Sequence, residues 1–382
     1  MNNKVLIIGA GISGLASALM LEKIGYAPVI FEKSDRLRNE GGGLTLWSNG
    51  TDALHFMDLL EETYQNSKIM KESALLTSSG KTLATIPLEE LATTYGTHTV
   101  GILRTKLHHL LASKLENTEM KLGYKLVELQ ENNEEVTARF ENGHEETGAF
   151  LVGADGIHSS VRNHLFPNSV LRFSGYEAWR GTAPHTNSYT KSGFTFEAWG
   201  KGLRFGFVPV SSSIVYWFAT RNTSENLLKV DVSREELAHM YRQFAEPVST
   251  VIKATPEKDI TRKVIYDLKP LQNWSKGRIV LIGDAAHATT PNLGQGACLA
   301  LEDSVILANM LEQSTSISEA IKNFEKKRIK RAKFIVNSSW VYGKVTQIEN
   351  TLMSHARNML VKNGYSIQKN SNMMYRIIGH KV

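Results

Sequence analysis

The chain has little cysteine and no long apolar run, and each shortage excludes a class of protein. Its 382 residues contain one cysteine, Cys298, so an intrachain disulfide is excluded and a reducing cytoplasm is the expected compartment. No run of about 18 apolar residues occurs, so we expect no transmembrane segment. A secretory signal is not expected either, because the apolar run from Val5 to Ile8 leads directly into glycines.

Excess charge is also small, since the formal net charge is +6 and much of it lies between Lys322 and Lys333. A nucleic-acid partner would need a basic groove interleaved with aromatic residues or a docking motif, and the sequence shows neither. We therefore expect no nucleic-acid binding. The basic stretch is typical of a solvated helix face, which could also attract anionic cofactors or substrates.

Internal repeats and low-complexity segments are absent, and strand patterns alternate with helical ones. A length of 382 residues with 42% apolar content favours two core-forming lobes. A strand at 4–8, a helix at 13–24 and a strand at 27–31 predict a βαβ unit. The pattern then predicts a hairpin at 74–88, a helix at 105–115, a strand meander at 124–150, an antiparallel sheet at 173–219, a strand at 278–282 and a helix at 297–311. This order indicates one doubly wound α/β domain interrupted by a mostly β insertion.

A glycine-rich turn joins the first strand to the first helix. Gly9, Gly11 and Gly14 form a G-x-G-x-x-G, which permits the tight turn, the approach of a pyrophosphate and the packing of helix on strand. The helix N-terminus presents free N–H groups to the phosphates. Glu32 ends the second strand, where it would accept hydrogen bonds from a ribose diol. These features together predict dinucleotide binding, and a βα turn without a ligand is the alternative.

Two further motifs follow, and the three together resemble a known family. The second motif is GADG, from Gly153 to Gly156, and the third is GDAAH, from Gly283 to His287, followed by PNLGQG to Gly296. The chain to about residue 335 thereby resembles the FAD-dependent aromatic monooxygenases of the para-hydroxybenzoate hydroxylase type. The resemblance implies a Rossmann-like FAD-binding domain (1–73, 99–172 and 265–335). A mostly antiparallel β substrate domain (74–98 and 173–264) would interrupt it, with C-terminal helices at 336–382.

The resemblance also implies which residues hold the FAD, tightly but without a covalent bond. Asp284 would bind the ribityl hydroxyls, Arg104 would reach the phosphate side, and the loop 40–46 would cover the flavin. Arg162 lies near the expected path of the nicotinamide donor. We expect no metal ligand. The expected cofactor residues are Gly9, Gly11, Ser13, Gly14, Glu32, Gly43, Arg104, Asp155, Asp284, Pro291, Gly294, Gln295 and Gly296.

The implied reaction is that of a single-component monooxygenase. NADH or NADPH would act as a transient electron donor, since no second G-x-G-x-x-G with strand–helix context occurs. The reduced FAD would react with O2 to a C4a-hydroperoxyflavin, which transfers one oxygen atom to an aromatic, heteroaromatic or polyene small molecule. The site must hold the substrate over the ring and exclude water.

Aromatic and cationic residues of the β insertion are the candidate substrate contacts. They are Trp179, Arg180, Arg204, Phe205 and Tyr216, together with Pro291. The motif Trp-Arg-Gly, followed by the segment from Gly200 to Val210, is most similar to the branch of urate hydroxylases, salicylate-type hydroxylases and zeaxanthin epoxidases. Arg204 and Tyr216 fall where urate hydroxylases carry a substrate-contacting arginine and tyrosine, and we take them as the catalytic pair. Those enzymes have an aspartate where this chain has Asn292, which leaves the need for a general base open.

Several alternatives remain from the residues alone. A bound FAD is also compatible with an oxidase or dehydrogenase, with an antibiotic-inactivating enzyme of the tetracycline-modifying kind, or with a non-catalytic flavin-binding protein. Most of the insertion's aromatic residues could simply form its core. The C-terminal helices could cap the substrate domain, form a homodimer contact or touch a membrane surface, so a monomer and a homodimer are both compatible with the sequence.

Overall fold

A parallel sheet forms around the apolar strand that begins at Lys4. The computed structural model describes residues 3–37, 42–185, 190–225, 231–364 and 367–382. The sheet runs in the order β18–β19–β12–β1–β2–β8, and its strands are parallel except at the β18 edge. Its strands are β1 (Lys4–Ile8), β2 (Ala27–Glu32), β8 (Glu119–Leu122), β12 (Phe150–Gly153), β18 (Ser275–Lys276) and β19 (Ile279–Leu281).

Helices and two small antiparallel sheets complete this larger domain. The predicted meander forms one sheet, and the segment that follows the glycine run begins the other. The small-sheet strands are β9 (Leu126–Glu131), β10 (Val136–Phe140) and β11 (Glu145–Gly148), then β3 (Gly43–Leu46), β4 (Lys68–Ile69) and β7 (Val100–Leu103). The helices are α1 (Ile12–Lys23), α2 (Ser48–Phe56), α3 (Leu60–Gln65), α5 (Arg104–Ser113), α6 (Ser160–Leu165), α9 (Asp284–His287) and α10 (Gly296–Gln313).

The insertion builds a second, larger sheet in the order β17–β13–β16–β15–β14–β5–β6. Its neighbouring strands are antiparallel except for β14 and β5, which are parallel. The strands are β5 (Glu72–Thr77), β6 (Thr82–Ile86), β13 (Leu171–Pro184), β14 (Phe194–Trp199), β15 (Leu203–Pro209), β16 (Ile214–Asn222) and β17 (Thr261–Leu268). Helices α7 (Arg234–Met240) and α8 (Val248–Ala254) share a buried apolar cluster with one face of this sheet, and α4 (Leu88–Tyr95) follows β6.

The C-terminal part is helical, as the sequence predicted. It consists of α11 (Ile317–Thr346), α12 (Thr351–Gly364) and α13 (Ile367–Ile378). Across the residues with assigned structure, each helix is too short or too polar to cross a lipid bilayer.

The predicted α/β architecture is confirmed, but four of the predicted domain limits fall inside regular elements. The limits after 73, 172, 264 and 335 cut through β5, β13, β17 and α11. A long strand or helix can contact both domains, so a limit taken from a resemblance can fall inside it.

Candidate cofactor and substrate site

A cavity of about 350 Å³ runs from the glycine turn to the GDAAH motif. Gly9 and Gly11 line one end with Glu32, and Asp155 and Asp284 line the cavity farther along. The structure therefore brings residues of all three sequence motifs to one elongated space. Such a space, with carboxylates for sugar hydroxyls and a glycine turn for phosphates, fits a dinucleotide.

The glycine turn has the geometry that its spacing predicts. Gly9 has φ +106°, and a Cβ on it would lie 2.5 Å from the carbonyl oxygen of Ala154. A Cβ on Gly14 would lie 1.9 Å from the carbonyl oxygen of Gly9. A Cβ on Gly11, in contrast, would meet no described atom within 4 Å. Packing within the protein thus requires Gly9 and Gly14, whereas Gly11 leaves open space that suits a close-lying pyrophosphate.

Glu32 lies at the end of β2 with its carboxylate held against the turn. It accepts hydrogen bonds from the backbone N–H of Ala10 at 2.9 Å and of Ser34 at 3.0 Å. These contacts fix the carboxylate at the cavity edge, where it remains able to accept hydrogen bonds from a ribose.

Helix α5 contributes the predicted cation Arg104 and a histidine, His108, that sequence reasoning missed. Arg104 begins the helix and lines the cavity, and its backbone N–H donates to the carbonyl of Gly42 at 3.0 Å. His108, one turn later, places Nε2 2.7 Å from the carbonyl oxygen of Ala10. The i, i+4 spacing of Arg104 and His108 was the available signal, because it puts both side chains on one helix face.

Asp155 organises the GADG loop. Its carboxylate accepts hydrogen bonds from the backbone of Ser160 at 2.6 Å and Val161 at 3.2 Å, and from the Ser159 hydroxyl at 2.5 Å. Burial raises the pKa of Asp155, and these hydrogen bonds oppose that shift.

Arg162 lies buried between the GADG loop and the GDAAH turn. Its guanidinium is buried and donates to the carbonyl oxygens of Ile157 at 2.6 Å and Ala285 at 3.2 Å. Burial lowers the pKa of Arg162. Arg162 therefore ties the GADG loop to the GDAAH turn, and its main role in the structure is to hold these two motifs together.

Asp284 projects into the cavity at the start of α9. It is accessible to solvent within the cavity, but the surrounding protein raises its pKa by desolvation, against the charges of His287, Arg104 and Arg162. A Cβ on Gly296 would lie 4.0 Å from its Oδ1, so the N-terminus of α10 faces the same carboxylate. Ser13 packs against the preceding residue, since a Cβ on Gly283 would lie 2.0 Å from the Ser13 hydroxyl oxygen.

The loop between α9 and α10 holds the remaining cofactor candidates. Pro291 is exposed in a 3₁₀ turn, and Gly294 has φ +62° beside the indole nitrogen of Trp47. Gln295 is fully buried, and its side-chain amide pairs with Asn49 at 2.9 and 3.3 Å. The Gln295 side chain therefore anchors α2 to α10, and only its backbone is left to contact a cofactor.

A buried ionic cluster supports this loop from behind. Asp303 accepts from His287 Nε2 at 2.6 Å, from the Gly283 backbone at 2.9 Å and from Arg328 at 2.7 Å. Glu302 accepts from Arg328 and Arg331. These partners outweigh desolvation and lower the pKa values of both carboxylates. Sequence reasoning missed the cluster because its members come from α9, α10 and α11.

Strand alternation separates the candidate substrate residues into two groups. Arg180, Arg204 and Tyr216 belong to the face of the larger sheet that meets the cofactor domain and α11. Trp179 and Phe205 point to the opposite face, where they are buried in a core formed with α7 and α8. Neighbouring residues of a strand alternate between faces, so the prediction that Trp179 and Phe205 contact the substrate is wrong.

Arg204 is the centre of a buried polar network. Its guanidinium donates to Asn292 Oδ1 at 2.5 Å, to Thr346 at 3.0 Å and to Glu197 at 3.2 Å. Burial alone would lower the pKa of Arg204, but Glu197 and the neighbouring tyrosines together outweigh it, and the pKa is raised. Its Nε–H has no acceptor among the residues that the structure describes, so one charged donor is left for a ligand.

Asn292 connects this network to the loop between α9 and α10 and to α11. Its Oδ1 also accepts from the Tyr176 hydroxyl at 2.9 Å, while its Nδ2 donates to the Ser339 carbonyl at 2.8 Å and to Thr290 at 2.9 Å. Burial raises the pKa of Tyr176 to about 12, so its hydroxyl keeps its proton. Both ends of the Asn292 amide are therefore committed to protein partners.

Tyr216 packs directly on the glycine run that precedes β3. A Cβ on Gly43 would lie 2.5 Å from Tyr216 Cβ, and one on Gly42 would lie 2.5 Å from its ring. Residues 40 and 41 of the predicted flavin-covering loop lie outside the described residues. Burial raises the pKa of the Tyr216 hydroxyl, so it is a neutral group at the cofactor side of the sheet.

Comparisons with known proteins agree with this geometry. A family model described as an FAD binding domain matches residues 2–339. The aurachin C monooxygenase/isomerase of Stigmatella aurantiaca is 33% identical, over 94% of this chain and 93% of that protein. The 2-heptyl-3-hydroxy-4(1H)-quinolone synthase of Pseudomonas aeruginosa is 32% identical over 94% and 93%. The crystal structure of Klebsiella pneumoniae HpxO with FAD and uric acid has a TM-score of 0.90 at 24% identity, covering 98% of this chain and 96% of that one.

Proposed function

Because the chain belongs to the family of FAD-dependent monooxygenases, we propose that it transfers one oxygen atom from O2 to an electron-rich heteroaromatic ring, with NADH or NADPH as electron donor. Two electrons from the nicotinamide reduce the second oxygen atom to water. The observation that carries the choice of ring is the hydrogen bonding of Asn292.

A carboxylate at position 292 would conflict with one contact of this site. An aspartate there would place an oxygen where Nδ2 now donates to the Ser339 carbonyl oxygen at 2.8 Å, and two acceptors would face each other. The neighbouring carboxylate, Glu197, already accepts from Arg204 and from the indole of Trp199. Asn292 is neutral and Glu197 is the counter-ion of Arg204, so we take neither as a general base, and we infer that the substrate carries its own electron density at the carbon that is oxidised.

A 4(1H)-quinolone meets this requirement. Its ring nitrogen is conjugated with C3, so that carbon is nucleophilic while the molecule is neutral, and the proton at C3 leaves after the oxygen has been transferred. The name of one relative contains a 3-hydroxy-4(1H)-quinolone with an alkyl group at C2. We therefore propose a 2-alkyl-4(1H)-quinolone as the substrate class, hydroxylated at C3.

The chain's own residues would bind both partners and exclude water. Glu32, Arg104 and Asp284 would hold FAD along the cavity, and Asp155 would shape the loop beside it. When bound and reduced, FAD supplies the activation of O2. The free Nε–H of Arg204 would donate to the oxygen of the substrate, and its position is fixed by Glu197 and Asn292. Tyr216 and the partly buried Phe218 would form the apolar wall.

The test is a panel of quinolones, phenols, purines and terpenoids offered to the holoenzyme with NADH or NADPH. We expect a 2-alkyl-4(1H)-quinolone to stimulate nicotinamide oxidation and to give a product heavier by one oxygen atom. A product that is desaturated without gaining oxygen would indicate an oxidase or dehydrogenase. Bound FAD without nicotinamide oxidation under any substrate would indicate a non-catalytic flavoprotein.

A further inference from the structure

Helix α12 is attached to the protein by its polar side, and its apolar side faces solvent. Ser354 and Arg357 are its buried residues. The Arg357 guanidinium donates to the Thr346 carbonyl at 2.9 Å and stacks 5.2 Å from the centre of the Trp199 ring. This is the reverse of the arrangement expected for a helix that packs on a globular core.

The exposed stripe of α12 is contiguous. Leu352 and Leu360 are 81% and 74% exposed, and Met353 and Met359 lie between them on the same arc of the helix. Val341 and Val345, in the last turns of α11, are also exposed. Single exposed apolar residues are common, but a continuous apolar stripe marks a surface that contacts a membrane or another protein.

The segment that carries the stripe has an excess of basic residues, although Arg357 among them is buried. Residues 341–382 contain one acidic residue, Glu349, and six basic ones, Lys344, Arg357, Lys362, Lys369, Arg376 and Lys381. On α11, the solvent face that ends in Val341 begins with exposed lysines, which are Lys322, Lys326, Lys327, Lys330 and Lys333. A second copy of the chain would meet these cations with its own, because a two-fold interface brings the same patch together.

We propose that the apolar stripe of α12 and the end of α11 form a docking surface for bilayers of anionic phospholipid. The leucine and methionine side chains enter the boundary between headgroups and acyl chains, and the lysines contact the phosphates. The helix lies in the plane of the interface. This surface is independent of the proposed oxygen transfer, since none of its exposed residues contacts the cavity.

The test is flotation of the holoenzyme with vesicles of equimolar phosphatidylglycerol and phosphatidylcholine, compared with phosphatidylcholine alone. We expect binding to the anionic vesicles and release when the salt is raised from about 0.1 M to about 1 M, where the Debye length falls from about 10 Å to about 3 Å. The double variant Leu352→Glu/Leu360→Glu should bind at least about a hundredfold more weakly, since each buried leucine is worth about tenfold or more.

The matched control is Val127→Glu/Val170→Glu, which adds the same charge at exposed apolar residues of another region. This control should bind vesicles far more tightly than the α12 variant. With a water-soluble substrate, both double variants should oxidise the nicotinamide at the rate of the wild type. Equal loss in both variants, no binding of the wild type, or a change from dimer to monomer in the α12 variant alone would overturn the proposal. Failure of oxygen transfer would leave vesicle binding unaffected, so the two proposals are tested separately.

Discussion

Two carboxylates, Glu32 and Asp284, lie along the cavity that joins the glycine turn to the GDAAH motif. They differ in their surroundings. Glu32 is held by two backbone N–H groups, whereas Asp284 projects into the cavity and desolvation raises its pKa. A ligand hydroxyl that donates to Asp284 relieves this desolvation, so Asp284 should contribute strongly to cofactor binding.

Two substitutions, one at Asp284 and one at Arg204, should separate cofactor binding from substrate binding. Asp284→Ala should weaken FAD binding about tenfold to hundredfold, the value of one hydrogen bond to a charged group, and give mostly apo protein by visible absorbance. Arg204→Lys keeps the charge opposite Glu197 but loses the Nε–H, so it should retain FAD and lose substrate-stimulated nicotinamide oxidation. Asp259→Ala, at an exposed aspartate, is the control. Full FAD occupancy in Asp284→Ala would contradict this account of the cavity.

The hydrogen bonds that occupy both ends of the Asn292 amide give a second prediction. Asn292→Asp should lower the free energy of unfolding by about 1–3 kcal/mol, because an acceptor would then face the Ser339 carbonyl. It should not increase turnover. Asn350→Asp is the control, since Asn350 uses only its Oδ1 to accept from the Met353 backbone, a contact that a carboxylate keeps. Chemical denaturation of the three proteins measures the difference, and an Asn292→Asp protein as stable as the wild type would refute the argument.

Single residues show where sequence reasoning succeeds and where it fails. Gly9, Gly14 and Glu32 were predictable, because a strand, a turn and a helix within one short segment determine their surroundings. Trp179 and Phe205 were not, because the face of a strand to which a side chain points depends on which sheet surface meets the other domain. His108 was missed although its i, i+4 spacing from Arg104 was visible, whereas the partners of Asn292 come from distant segments that no local pattern contains.

At the scale of elements, the C-terminal helices combine two kinds of contact. The apolar side of α12 is exposed, whereas α13 ends in Ile378, which is buried in one cluster with Tyr216. His380 follows in a half-buried position, where burial and then Arg331 lower its pKa to about 4. The sequence showed amphipathic helices here, but amphipathicity does not say which side faces the protein.

The lowered pKa of His380 predicts that the free energy of unfolding depends on pH. Its pKa is about 4 in the folded protein and about 6.5 when unfolded, so the unfolded chain takes up the proton first as the pH falls. The stability that neutral His380 contributes is complete above about pH 6.5 and is lost progressively towards pH 4. With allowance for solvent screening, the loss between about pH 7 and pH 5 should be about 1 kcal/mol.

Unfolding at a series of pH values measures this loss. His380→Gln should be less sensitive to pH over that interval, whereas His239→Gln, at an exposed histidine of α7, should behave as the wild type does. Identical pH profiles for wild type and His380→Gln would show that the histidine is not buried as described.

Across the whole molecule, one domain holds the cofactor cavity and the other holds most of the candidate substrate residues. The parallel sheet and its loops provide the cofactor cavity, and one face of the larger sheet provides Arg204, Tyr216 and their partners. The α/β fold was predictable because the strand and helix patterns are strong. The exact limits of the domains were not, since β5, β13, β17 and α11 each continue across a limit taken from the resemblance.

The central claim is the transfer of one oxygen atom from O2, and isotope labelling tests it most directly. The holoenzyme is given a 2-alkyl-4(1H)-quinolone and NADH or NADPH under ¹⁸O2, and the product is analysed by mass spectrometry. The account predicts a 3-hydroxy product that carries one ¹⁸O atom. A product that carries oxygen from water, or one that gains no oxygen, would contradict it.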